Sequence, residues 1–122
     1  MKMLLSINPQ HVRNILNGTK RYEFRKVRCR PEVASILIYS TAPVGRVVGE
    51  VELVNTLHGS PDEVWEWTAQ YSGITRCFFE SYYSGRDKAV AYELGAVSVY
   101  EEPRPLDEFG VSCAPQSFVY LA

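Results

Sequence analysis

The stretch Gly18-Thr19-Lys20-Arg21-Tyr22-Glu23-Phe24-Arg25-Lys26 joins a helical pattern to an extended one. Upstream, Asn8-Pro9 has the form of an N-cap followed by proline at the first helical position. Val12, Ile15 and Leu16 then repeat at helical spacing and Gly18 supplies a stop, which predicts a short helix over residues 9–16. Within the stretch, Tyr22 and Phe24 alternate with Arg21, Glu23 and Arg25. That two-residue period predicts a strand over 22–27 with one apolar and one charged face. Glu23 and Arg25 share the charged face and can pair there, while Lys20 at the turn can extend its ammonium over them. Such a trio suits phosphate binding, or a general acid and base held side by side; the bland alternative is a solvated strand face with a surface ion pair.

The same reading continues along the chain. Ser35–Ser40 is apolar on both faces and predicts a central strand, and Arg46–Val54 alternates again. Ser60-Pro61-Asp62-Glu63 carries a capping box and predicts a helix to about residue 71. Thr75 caps a further helix through Phe78, Phe79, Tyr82 and Tyr83 to the stop at Gly85. Ala89–Tyr100 is a long strand with an expected bulge at Gly95, and Ser117–Leu121 is the last strand. The expectation is an α+β fold: a small β-barrel or curled sheet of five to six mostly antiparallel strands, with about three short inserted helices. One domain over residues 1–122 fits the length.

Charge is split along the chain. Residues 1–30 carry eight Lys and Arg against Glu23 alone, a net of +7, while the remainder carries five cations against thirteen acids, a net of −8. With 46% apolar residues the chain can build a core, which excludes global disorder. A uniformly basic nucleic-acid coat protein is excluded too, but a locally basic face for a polyanionic partner is not. No apolar run approaches the about 18 residues of a membrane span, and the start is too short in apolar residues for a signal peptide. Cys29, Cys77 and Cys113 are odd in number and form no CxxC, so neither a disulfide framework nor a zinc site is expected, and a reducing cytoplasm fits. No Gly-rich phosphate loop, HExxH, GxSxG or metal-ligand cluster occurs, so no metal or other cofactor is expected.

Other segments carry possible ligand contacts. Gln116 and Ser117 open the last strand, where their side chains can hydrogen-bond a base edge or simply cap a turn. Tyr39 and Ser40 end the central strand, with hydroxyls that either line a pocket or satisfy local backbone. Trp65, Trp67, Phe78, Phe79, Tyr82 and Tyr83 can stack bases, but their helical spacing favours core packing. His58 beside Gly59 looks like loop, and His11 is expected on the exposed side of the first helix near the basic region; a catalytic pairing of the two is the weaker reading.

Taken together, Ser6-Ile7-Asn8-Pro9 and Ile15-Leu16-Asn17-Gly18-Thr19-Lys20-Arg21-Tyr22-Glu23-Phe24-Arg25 resemble the start of an ASCH domain, whose helix ends in a G-x-K-x-x-E-x-R signature. Later pieces resemble a branch common in phages and in uncharacterised microbial proteins: Ile38–Pro43, Val48-Gly49-Glu50, Ser60-Pro61, Ser72-Gly73-Ile74, Tyr82-Tyr83-Ser84-Gly85 and Pro115-Gln116-Ser117-Phe118. The resemblance covers essentially the whole chain. It implies a barrel related to the PUA domain, an RNA-binding module, with a cleft for RNA or nucleotides beside the signature.

The resemblance also implies a choice of functions. In the favoured one, the chain binds single-stranded RNA or a nucleotide through Lys20, Arg21, Arg25, Lys26, Arg28, Tyr39, Ser40, Gln116 and Ser117. Some ASCH relatives are ribonucleases, and metal-independent cleavage here would use Lys20, Glu23 and Ser117. A compact bacterial branch instead hydrolyses the acetyl-amide of N4-acetylcytidine with a Lys, a Thr three positions later and a distant Glu. Lys20 matches the first of these, but Glu23 stands where the Thr would be, and the distant Glu would be Glu63 or Glu66. The third alternative is a non-enzymatic phage or microbial regulator acting through protein contacts. None of these requires a membrane, and the oligomeric state is left open.

Overall fold

The structure, a computed structural model, describes residues 1–121. Six strands and three α-helices follow in the order β1 (Lys2–Ile7), α1 (Pro9–Leu16), β2 (Tyr22–Arg25), β3 (Ser35–Ser40), β4 (Arg46–Gly59), α2 (Pro61–Thr68), α3 (Arg76–Tyr82), β5 (Ala89–Arg104) and β6 (Phe118–Leu121). The strands form one curled sheet in the order β2-β5-β4-β3-β1-β6. Every pairing is antiparallel except β1 with β3. The α+β barrel-like architecture expected from the sequence is therefore the one formed.

Local signals act as they read. The Asn8 side chain accepts from the Gln10 N–H at 3.1 Å with Pro9 at the first helical position. Ser60 and Glu63 form the reciprocal capping box at 3.2 and 3.0 Å, and Thr75 caps α3 by accepting from Phe78 at 3.1 Å. A bulge does fall at Gly95: the β4–β5 register shifts between the Val51–Val97 and Leu53–Leu94 pairs, leaving Gly95 and Ala96 opposite one residue. One strand went unread. β1 carries Met3-Leu4-Leu5, all fully buried, because it lies between β3 and β6 and is covered on both faces. Two strands are also longer than their alternation suggested, β4 running on to Gly59 and β5 to Arg104.

One core fills the concave side of the sheet: Met3, Leu5 and Ile7 of β1, Ile36 and Ile38 of β3, Val90 and Tyr92 of β5, and Val12 and Ile15 of α1. A second joins β2 and β5 to the inserted helices through Phe24, Val64, Phe79, Tyr83 and Ala91. The sheet edges β2 and β6 are not paired with each other. Residues 26–34 bridge the gap between them. The Tyr92 hydroxyl donates to the Val27 carbonyl at 2.6 Å on the β2 side, and the Arg30 N–H donates to the Tyr120 hydroxyl at 3.1 Å on the β6 side. Among the described residues no helix is long and apolar enough to cross a membrane. The three cysteines are free thiols.

Candidate functional site

A cavity of about 230 Å³ opens where the end of β2 meets α1 and α3. Lys20, Glu23, Phe24 and Arg25 line it from the signature strand, Asn8 and His11 from the start of α1, and Ile74, Phe78 and Tyr82 from the inserted helical segment. Its charged side is a network. Arg25 donates to one Glu23 carboxylate oxygen from Nε at 3.0 Å and from Nη2 at 2.9 Å. Nη2 also donates to the Ser6 carbonyl at 2.7 Å, and Nη1 donates to the Ser117 hydroxyl at 3.3 Å. One guanidinium thus ties β2 to β1 and to the last residue of the 112–117 loop, across the gap in the barrel. Glu23 and Lys20 are 6% and 2% exposed, so this is no solvated strand face.

Lys20 has its own support. Its ammonium donates to the Ser72 carbonyl at 2.6 Å and lies 4.9 Å from the centre of the Phe24 ring. Its backbone N–H donates to the Asn14 carbonyl at 2.9 Å, which fixes it to the end of α1. Burial lowers the Lys20 pKa from its ordinary value; the Glu23 carboxylate opposes that shift and Arg25 adds to it. His11 is likewise pushed down, first by burial and then by the Lys20 charge, so its ring is held neutral near pH 7. Its buried Nδ1 has no hydrogen-bond partner among the described residues. The opposite wall is aromatic: Phe78 packs edge-on against the His11 ring at 5.8 Å, and the Lys26 ammonium sits 4.6 Å over Tyr82. Tyr83 stays in the core, where its hydroxyl donates to the Arg25 carbonyl at 2.7 Å and steadies the end of β2.

The remaining sequence candidates fall in four places. Ser117 is exposed and reaches the site through Arg25, with exposed Gln116 beside it. Arg21 points away and stacks on Tyr71 at 4.2 Å, and Arg28 lies at a separate groove. Tyr39 packs in a third cluster with Leu4, Leu37 and Val47, and Ser40 is buried at the end of β3; neither lines the cavity. His11, Asn8, Phe78 and Tyr82 are the members the sequence reading did not assign. A signal existed: Asn8 and His11 are three apart and Phe78 and Tyr82 four apart, so each pair shares a helix face. His11 is half-buried at the cavity, not on the free side of α1. Among the described residues no cluster of His, Cys, Asp and Glu is placed to hold a metal ion.

The geometry defines a small PUA-like α+β barrel with a charged cavity beside its first helix. No protein-family model matches the chain. It is 29% identical over 92 residues to an ASCH domain-containing ribonuclease of Zymomonas mobilis subsp. mobilis, covering 75% of this chain and 62% of that protein. It is 28% identical over 120 residues to the large ribosomal subunit protein uL22 of Ureaplasma parvum serovar 3, covering 98% of this chain. The chain spans only 39% of the length of that ribosomal relative. The crystal structure of ASCH from Zymomonas mobilis superposes with a TM-score of 0.89 at 26% identity, over 99% of this chain and 87% of that one. In fold and in sequence the chain is similar to ASCH domains.

Proposed function

We propose that the cavity holds one nucleotide unit of single-stranded RNA and that the chain cleaves the strand there. The observation that carries this reading is the Lys20–Glu23–Arg25 network lining a cavity faced by Phe78 and Tyr82. Buried cations suit a phosphate and an aromatic wall suits a base, the two elements of single-strand recognition. At about 230 Å³ the cavity is smaller than ordinary small-molecule sites of about 300 Å³ and above, so it takes a single base and not a folded ligand. The relative named a ribonuclease supports the cleavage part.

In this reading Lys20 and Arg25 hold the phosphate and stabilise its developing charge, while Glu23 orients Arg25. In the cleavage step the 2′-hydroxyl attacks its own phosphorus and gives its proton to the Glu23 carboxylate oxygen that Arg25 does not bind. The bond to the 5′-oxygen of the next nucleotide breaks, and that oxygen takes a proton from the Lys20 ammonium, whose lowered pKa suits the transfer. Ser117 helps position Arg25 and the strand entering the site. Amide hydrolysis of an acetylated cytidine is disfavoured, because Glu23 occupies the position of the required hydroxyl and is committed to Arg25.

The test is a filter-binding titration with a labelled single-stranded RNA, followed by a cleavage assay in EDTA and in a divalent cation. Lys20→Ala is expected to weaken binding and flatten its salt dependence. Cleavage lost in both Lys20→Ala and Ser117→Ala supports catalysis by this site. Unchanged affinity and salt slope in Lys20→Ala would overturn the binding reading, and cleavage persisting in both variants would overturn the catalytic one.

A further inference from the structure

A larger depression, about 840 Å³, lies between residues 28–34 and β4, lined by Arg28, Arg30, Leu53, Asn55, Thr56 and His58 among others. It shares no residue with the cavity. The two are joined by the chain itself. Arg25 lies in one and Arg28 in the other, and three residues reach at most about 10 Å.

Its two guanidiniums are held in place but not neutralised. Arg30 stacks 4.5 Å from the centre of the Tyr120 ring, and its own backbone N–H donates to the Tyr120 hydroxyl at 3.1 Å. Stacking occupies the face of a guanidinium and leaves its edge donors free. Arg28 Nη1 lies 3.2 Å from His58 Nε2, a contact in which the guanidinium N–H is the donor. Among the described residues neither arginine has a carboxylate within ion-pair distance. Among the described residues Glu32 is the single acid lining the groove. Asn55 and Thr56 add neutral polar groups on the β4 side. Oriented, unpaired guanidiniums above neutral polar groups fit phosphodiester oxygens and 2′-hydroxyls.

We infer that this groove is a flanking subsite for the sugar-phosphate backbone of a single RNA strand, whose neighbouring nucleotide occupies the cavity. The inference rests on the reading of the cavity as an RNA site. It assigns Arg28 and Arg30 to two successive backbone contacts. Affinity then grows with strand length beyond what the cavity alone holds. The net −8 of residues 31–122 disfavours a long duplex and leaves one strand as the occupant.

The test is fluorescence anisotropy with a labelled uridine mononucleotide and a labelled oligouridylate of twelve nucleotides, across a salt series. Wild type, Arg28→Gln, Arg28→Gln/Arg30→Gln and Lys20→Ala are compared, with circular dichroism confirming the fold. The double variant is expected to lower the 12-mer salt slope by about 1.4, from about 0.7 per single-strand phosphate contact. Its mononucleotide affinity should change less than twofold. Arg28→Gln alone, at a side chain hydrogen-bonded to His58, should lower the slope by about 0.7. A 12-mer slope and affinity unchanged in the folded variants would overturn the subsite. Lys20→Ala binding the mononucleotide as wild type does would instead overturn the cavity reading, and the two failures appear in different proteins.

Discussion

Gly73 lies so close to Lys20 that a β-carbon on the glycine would stand 2.6 Å from both Cβ and Cγ of the lysine. The close approach lets the neighbouring Ser72 carbonyl accept the Lys20 ammonium. Gly73 also has φ +69°, a left-handed conformation costly for other residues. Gly73→Ala should therefore cost about 2 kcal/mol or more, from the strained backbone and the displaced lysine. Gly85→Ala is the control: its φ is +76° but nothing lies within 4 Å, so only the backbone cost of about 1 kcal/mol is expected. Urea denaturation compares the two, and equal losses would show that Gly73 does not brace Lys20.

Arg25 and Glu23 should be strongly coupled. Their side chains are 17% and 8% exposed, so removing the guanidinium strands a buried carboxylate. Arg25→Ala is expected to cost about 3 kcal/mol. Glu23→Gln/Arg25→Ala should be more stable than Arg25→Ala alone, because the orphaned charge is gone. A double-mutant cycle by chemical denaturation measures this, and simple additivity would refute it.

The His11 ring should titrate below its ordinary value of 6.5, since burial and the Lys20 charge both lower it. In Lys20→Met the midpoint should move upward, because one of the three depressing causes (burial, Lys20 and Arg25) is removed. Ring-proton NMR follows both midpoints, with His58→Gln used to assign the signals. The stability consequence has a definite sign. Between the lowered folded value and 6.5 the unfolded chain binds more protons at this site, so stability at this site is lost as pH falls through that window. His11→Phe should lose less stability over the same window.

Lys20 has the same sign in the alkaline range. Its folded value lies below 10.5, so the unfolded chain binds more protons between the two and stability at this site rises with pH there. Lys20→Met should lack that rise. Thermal or urea denaturation of wild type and variant across the window below 10.5 checks it; parallel curves would mean that Lys20 ionises as freely in the fold as in water.

Much of this protein is local and was legible in the order of its residues. Asn8-Pro9 and Ser60-Pro61-Asp62-Glu63 announce helices because capping is decided within four residues. Alternation in 22–25 places Glu23 and Arg25 on one face whatever surrounds them. β1 was not legible. A strand buried on both faces has no alternation, and its partners β3 and β6 lie far away in the chain. Tertiary packing alone decided that Lys20 is buried, because Ser72 and Gly73 lie 52 and 53 positions along the chain. It also brought His11 opposite Phe78, and separated Arg25 from Arg28 into two depressions by passing residues 26–34 across the open barrel. The sequence by itself determines which charges share a strand face. Only the closure of the sheet determines which of them lose their water, and that loss shifts the pKa of Lys20 and leaves Arg25 to bind both Glu23 and the Ser6 carbonyl.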